Sequence, residues 1–192
     1  MTNAEIGSFQ GVRAKGGGNL AEITVFRILP RRWIYCAFSA EDGHGETLRN
    51  GARWNPPGCP MVYASDHPST AAWEVSRRFG YHLPTLYLDF AYCAVLLDEK
   101  AIITLEQFGK KPLPVNWYVQ EPSGVYKPEI QDIGGQWILS AVSLALQVPS
   151  ALNPRDAINY LINPKHPDYG VLMGKRIGAW TCDGLTQLPL DK

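Results

Sequence analysis

The sequence predicts a mixed α/β fold, a twisted and largely antiparallel sheet with flanking helices. Three observations carry that reading. Short stretches alternate apolar and polar residues, two apolar segments follow helical spacing, and no repeat, linker or composition break divides the chain. With 192 residues, 45% of them hydrophobic, the chain is long enough to bury one core of its own.

The first strand is read at Ala21 to Ile28, β-branched and alternating. Period two sets Ile23, Val25 and Arg27 on one face, so an arginine ends a row that otherwise points inward. A buried guanidinium left unpaired costs several kcal/mol, so Arg27 needs an anionic partner or ligand, with Glu74 and Asp89 as candidate carboxylates. Upstream, residues 1–20 read as a flexible leader. Gly16, Gly18 and Ala21 match a loose dinucleotide-binding pattern, but no strand precedes them and no helix follows.

The run from Gly51 to Arg78 holds the most chemistry. Gly51-Ala-Arg-Trp-Asn-Pro-Pro-Gly58 is dense in turn formers and reads as a loop carrying Arg53 and Trp54 into a cleft. Met61 to Ser65 reads as a short strand that gives Tyr63 a defined side. Asp66 or Ser69 can cap the next helix, Pro68 suits its first turn, and Ala71, Ala72, Val75 and Phe79 form its apolar stripe. Glu74 falls on the flank of that stripe, where its carboxylate either faces a cleft or pairs with Arg78 four residues on.

Thr85 to Tyr92 alternates, with Leu86, Leu88, Phe90 and Tyr92 on one face, and reads as a central strand. Glu99 to Pro128 is rich in proline and aromatic residues and reads as irregular, with a short helix near Leu105. Trp117, Tyr118 and Tyr126 there are either lid or packing residues. Gly135 to Gln147 reads as an apolar helix ending before Pro149. An extended Val148-Pro-Ser-Ala151 then places Ser150 at a strand edge, and Asn159 to Ile162 is a further strand between two Asn-Pro turns.

Several function classes are disfavoured. A net charge of zero gives no electrostatic reason to bind nucleic acid or an acidic membrane. Cys36, Cys59, Cys93 and Cys182 have no zinc or disulfide spacing, and His44, His67 and His82 no metal-ligand spacing. Ser150 has no nucleophile-elbow motif, and His166 sits between prolines, which argues against a serine hydrolase. No apolar run reaches the roughly 20 residues that span a bilayer, and the N-terminus lacks a secretory core. The expected location is cytoplasmic, with export by a route lacking a cleaved signal left open.

The order Gly-x-Arg53-Trp-Asn-x-x-Gly, Tyr63-Ala-Ser, Ala71-x-x-Glu74, Val148-Pro-Ser-Ala151 and Asn159-Tyr-Leu-Ile-Asn-Pro-x-His-Pro167 resembles the RES domain family. The likeness runs from about Phe26 through the His166 segment, within one domain taken as residues 21–192. It implies a sheet split around a cleft, as in ADP-ribosyltransferase toxins, and a toxin held in check by a cognate helix-turn-helix antitoxin. It also implies NAD+ as substrate, not cofactor, with no metal. Glu74, Arg53 and Tyr63 are then the catalytic candidates, and Arg27, Arg53, Tyr63 and Ser150 the NAD+-binding ones. Ala52 and Pro57 depart from the residues common in relatives and stiffen the loop without removing a charge.

Breaking the nicotinamide–ribose bond develops positive charge on the sugar, so it calls for a fixed carboxylate more than for a strong base. Glu74 suits that task, two arginines would hold the phosphates, Tyr63 would orient the nicotinamide, and Ser150 would bond the substrate or orient a neighbour. The acceptor stays open among water, phosphate and a protein side chain, as do a homodimer and a non-catalytic antitoxin-binding module.

Overall fold

The structure is a computed structural model that describes residues 21–40, 42–80, 82, 88–110, 112–119, 126–182, 184 and 186–190. The expected leader, its glycine pattern, the Thr85–Tyr87 portion of the expected strand and the side chain of Phe79 lie outside the described residues.

β1 (Glu22–Pro30) opens the fold, followed by β2 (Val62–Ser65), β3 (Phe90–Asp98) and β4 (Ile102–Thr104). β5 (Ala145–Pro149), β6 (Ile158–Ile162), β7 (Arg176–Thr181) and β8 (Gln187–Leu188) complete one sheet, ordered β4-β5-β6-β2-β1-β3-β7-β8. Every neighbouring pair is antiparallel except β4–β5. β1 pairs with β3 along its whole length, from Glu22↔Asp98 to Pro30↔Phe90, but with β2 only at Phe26↔Ser65. The sheet therefore parts between β1 and β2, and the mixed, largely antiparallel, split architecture is the one expected.

Alternation sorts the sheet residues by face. Val25, Leu29, Val62, Ala64, Cys93 and Ile162 point to one face, where they pack with Ile34 and Phe38 and with Tyr169 and Leu172 of a 3-10 segment, Pro167–Lys175. On the other face lie α2 (Pro68–Phe79) and α3 (Pro128–Ser140). Ala71 of α2 packs with Ile28, Phe90 and Tyr92, and Ile130, Ile133 and Trp137 of α3 pack with Met61, Leu146 and Leu161. A short α1 (Glu46–Asn50) precedes the arginine-bearing loop.

Four expectations change. The central strand begins at Phe90, while Leu88 sits in a helical turn, 76% exposed. β3 is covered on both faces, so its run Phe90-Ala-Tyr-Cys-Ala-Val-Leu-Leu lacks the alternation of a half-buried strand. The second helix spans Pro128–Ser140 instead of Gly135 to Gln147, ending where Ala141 turns left-handed at φ 48°. Ala145 and Leu146, which continue the helical spacing, belong to β5. Near Leu105 the chain makes edge strand β4 and a turn closed by Phe108 N–H to the Thr104 carbonyl, in place of a helix. Finally, α2 is capped by His67, whose Nδ1 accepts from the Ser69 N–H at 3.2 Å, and not by Asp66 or Ser69.

Gly134 couples α3 to the arginine loop. A β-carbon there would stand 1.8 Å from the Trp54 carbonyl oxygen, a backbone atom with no rotamer to yield. Gly134→Ala is expected to cost at least about 1–3 kcal/mol through overpacking, read as a lower urea midpoint.

Candidate functional site

A cleft of about 700 Å³ opens where β1 and β2 part, within the range of small-molecule sites. Arg27, Arg53, Tyr63 and Glu74 all line it, although they come from β1, a loop, β2 and α2. Its walls carry six arginines (Arg27, Arg32, Arg49, Arg53, Arg77, Arg78) against three carboxylates (Asp42, Glu46, Glu74). A chain of zero net charge thus concentrates positive potential in one concavity, which suits an anionic ligand.

Glu74 faces the cleft. Its Oε1 accepts from Ser150 Oγ at 2.6 Å and from Asn159 Nδ2 at 2.8 Å. Arg78, the alternative partner by spacing, donates Nη2 to the Gly51 carbonyl at 3.0 Å. Ser150 itself is fully buried and absent from the cleft wall, so it stands behind Glu74 and bonds the carboxylate. Of the two roles expected from sequence, its bond to Glu74 is the arrangement that fits orienting a neighbour.

Arg27 has a partner that neither candidate carboxylate supplies. Its Nε and Nη2 grip Asp42 at 2.7 and 2.5 Å, and Nη1 donates to the Tyr63 carbonyl at 3.0 Å. Asp42 is almost entirely buried and also accepts from the Phe38 and Gly43 N–H groups, at 2.8 and 2.9 Å. Three of the five guanidinium N–H groups are so engaged, and the bond to Tyr63 bridges the gap where β1 and β2 lack a ladder.

Arg53 donates Nη1 to the Trp117 carbonyl at 3.0 Å, and its guanidinium carbon lies 5.4 Å from the Tyr126 ring centre and 5.9 Å from that of Trp117. Burial pulls the guanidinium below its ordinary value, opposed by Tyr126 and Glu74. It remains charged at any physiological pH. Trp117 also packs on Trp54 at 5.4 Å, so the middle segment clamps the loop that presents Arg53.

Tyr63 donates its hydroxyl to Asn55 Oδ1 at 2.6 Å and accepts from the Trp54 N–H at 3.3 Å. Burial pushes this phenol well above its usual value, so it is a neutral hydrogen-bonding group and not a proton source. Asn55 in turn donates to the Thr47 and Cys59 carbonyls, both at 2.9 Å, which ties the loop to its surroundings.

Sequence reasoning missed three residues here. Asp42 carried no local signal, since it sits in a turn and its partner on β1 lies fifteen residues away in sequence. Asn55 and Asn159 lay inside quoted motifs, but an asparagine announces no chemistry until its partners are known. None of the four cysteines is in a disulfide, and no group of three or more potential metal ligands occurs among the described residues. Nor is any helix among them long and apolar enough to cross a membrane.

Comparison with known proteins places the chain in a family. The chain is 30% identical over 149 residues to the Prs ADP-ribosylating toxin of Sphingobium sp. (strain YBL2), covering 76% of this chain and 87% of that protein. It is 33% identical over 136 residues to Toxin Res of Pseudomonas putida (strain KT2440), covering 70% and 85%. In fold it resembles a chain in the crystal structure of the M. tuberculosis MbcT–MbcA toxin–antitoxin complex. There the TM-score is 0.60 at 15% identity, covering 89% of this chain and 86% of that one. The RES domain profile matches residues 24–179, from the first strand to the seventh, and the protein is a member of the RES domain family.

Proposed function

We propose that this protein is a RES-type toxin that breaks the nicotinamide–ribose bond of NAD+. The observation that carries the reading is Glu74, a carboxylate held by two donors on one oxygen and lining a cationic cleft. The C1′–N bond breaks with its electron pair leaving on the nicotinamide nitrogen, which becomes neutral. The positive charge then spreads over the ribose, where a fixed carboxylate lowers the barrier. In this reading Arg53 and the two N–H groups of Arg27 outside its three bonds hold the pyrophosphate, and the Tyr63 ring orients the nicotinamide. Ser150 serves from behind, through Glu74.

The acceptor at C1′ is water, phosphate or a protein side chain. A relative named for ADP-ribosylation favours an ADP-ribosyl donor pocket in general, and the same pocket serves all three acceptors. A toxin partnered in a solved complex favours an antitoxin for this chain too, of helix-turn-helix type, seated over the mouth formed by the Arg53 loop and the middle segment.

Incubation of the purified protein with NAD+, with and without phosphate, tests the proposal by product mass. Free nicotinamide with ADP-ribose in both names water as the acceptor, and nicotinamide with ADP-ribose 1-phosphate only where phosphate is present names phosphate. If NAD+ is left intact in both, and when candidate protein acceptors are added, the protein is the non-catalytic module instead. Expression without antitoxin is expected to arrest growth as cellular NAD+ falls.

A further inference from the structure

Behind Glu74 stands a polar group that neither the sequence motif nor the proposed reaction explains. Ser65 ends β2 and Asn159 lies directly across from it on β6. Ser65 Oγ bonds Asn159 Oδ1 at 2.7 Å, and Asn159 Nδ2 bonds Glu74 Oε1 at 2.8 Å. Ser65 is 3% exposed, Asn159 8%, and both reach the cleft wall.

Proton bookkeeping leaves one arrangement. An ionised carboxylate only accepts, so the asparagine must turn its NH2 toward Glu74 and its carbonyl toward Ser65. The serine hydroxyl must then donate to that carbonyl. On the other side the Leu152 N–H donates to Ser150 Oγ at 3.2 Å, which directs the Ser150 proton onto Glu74. Both donors reach Oε1, and among the described residues none bonds Oε2.

We infer that Asn159, with its amide locked by Ser65, is a positioning residue that sets the rotation of the Glu74 carboxylate so that Oε2 is presented to the reacting sugar. This rests on the proposed NAD+ cleavage and adds to it how the carboxylate is aimed. A purely structural network would satisfy buried polar groups and influence only stability. A positioning network influences turnover at constant fold, because a displacement of about 1 Å at a reacting group can cost 100-fold in rate.

Asn159→Asp keeps the shape but points an acceptor at Glu74, and Ser65→Ala frees the amide to turn. The experiment measures nicotinamide release from NAD+, with kcat and KM separated and the fold checked by circular dichroism and urea midpoint. Asn159→Asp is expected to lower kcat about 100-fold with KM within about threefold. Ser65→Ala is expected to lower it less, Ser65→Thr to restore it, and Ser65→Ala to add nothing in an Asn159→Ala background. A folded Asn159→Asp protein at wild-type kcat overturns the inference and leaves NAD+ cleavage standing. So does additive loss in the double variant, and a wild-type protein that releases no nicotinamide overturns both.

Discussion

Glu74→Gln is expected to lower nicotinamide release from NAD+ by about 10³-fold, the size seen when a group facing developing charge is removed. The substitution keeps an oxygen where Ser150 and Asn159 donate, so their bonds at 2.6 and 2.8 Å have a partner still and the fold is retained. Only the negative charge is lost. Because that charge matters most in the transition state, kcat is expected to fall while KM changes little. Growth arrest is expected to disappear with it, and antitoxin binding to persist. A folded Glu74→Gln protein that consumes NAD+ at the wild-type rate would refute the catalytic assignment.

The largest effect on stability is expected at Asp42. Its carboxylate accepts from Arg27 and from two backbone N–H groups, and its side chain is only 6% exposed. Asp42→Ala would leave a guanidinium that is 18% exposed without its counter-charge, together with two orphaned amides. Removing one member of such a buried pair costs about 3–5 kcal/mol, a large share of the stability of a domain this size. Urea denaturation monitored by tryptophan fluorescence measures it. A cost below about 1 kcal/mol would mean that water replaces the carboxylate, and that Arg27 belongs to the ligand more than to the fold.

What could be read from the sequence follows a physical line. Alternation placed Val25 and Arg27 of β1 on one face and gave Tyr63 of β2 a defined side, and helical spacing put Glu74 on the flank of its stripe, facing either a cleft or Arg78, because these depend on local periodicity alone. β3 escaped because burial on both faces erases alternation. The end of α3 escaped because the backbone turn at Ala141 leaves no mark in apolar spacing. Asp42 escaped for a different reason: a turn residue whose partner is fifteen residues away gives no signal in its own neighbourhood. Ser150 was placed near the acid, but its burial depends on a strand pairing that the sequence states nowhere.

The narrow join between β1 and β2 has a topological consequence. On one side of it lie β4, β5, β6 and β2, and on the other β1, β3, β7 and β8. The chain passes over the join from β1 to β2, β2 to β3, β3 to β4 and β6 to β7, four times in all. Neither half of the sheet is a continuous stretch of polypeptide, so no single cut separates one half from the other. The seam beside the cleft holds a single register pair, yet covalent chain laces it four times, so the weakest join of the sheet is also the one the polypeptide stitches most often.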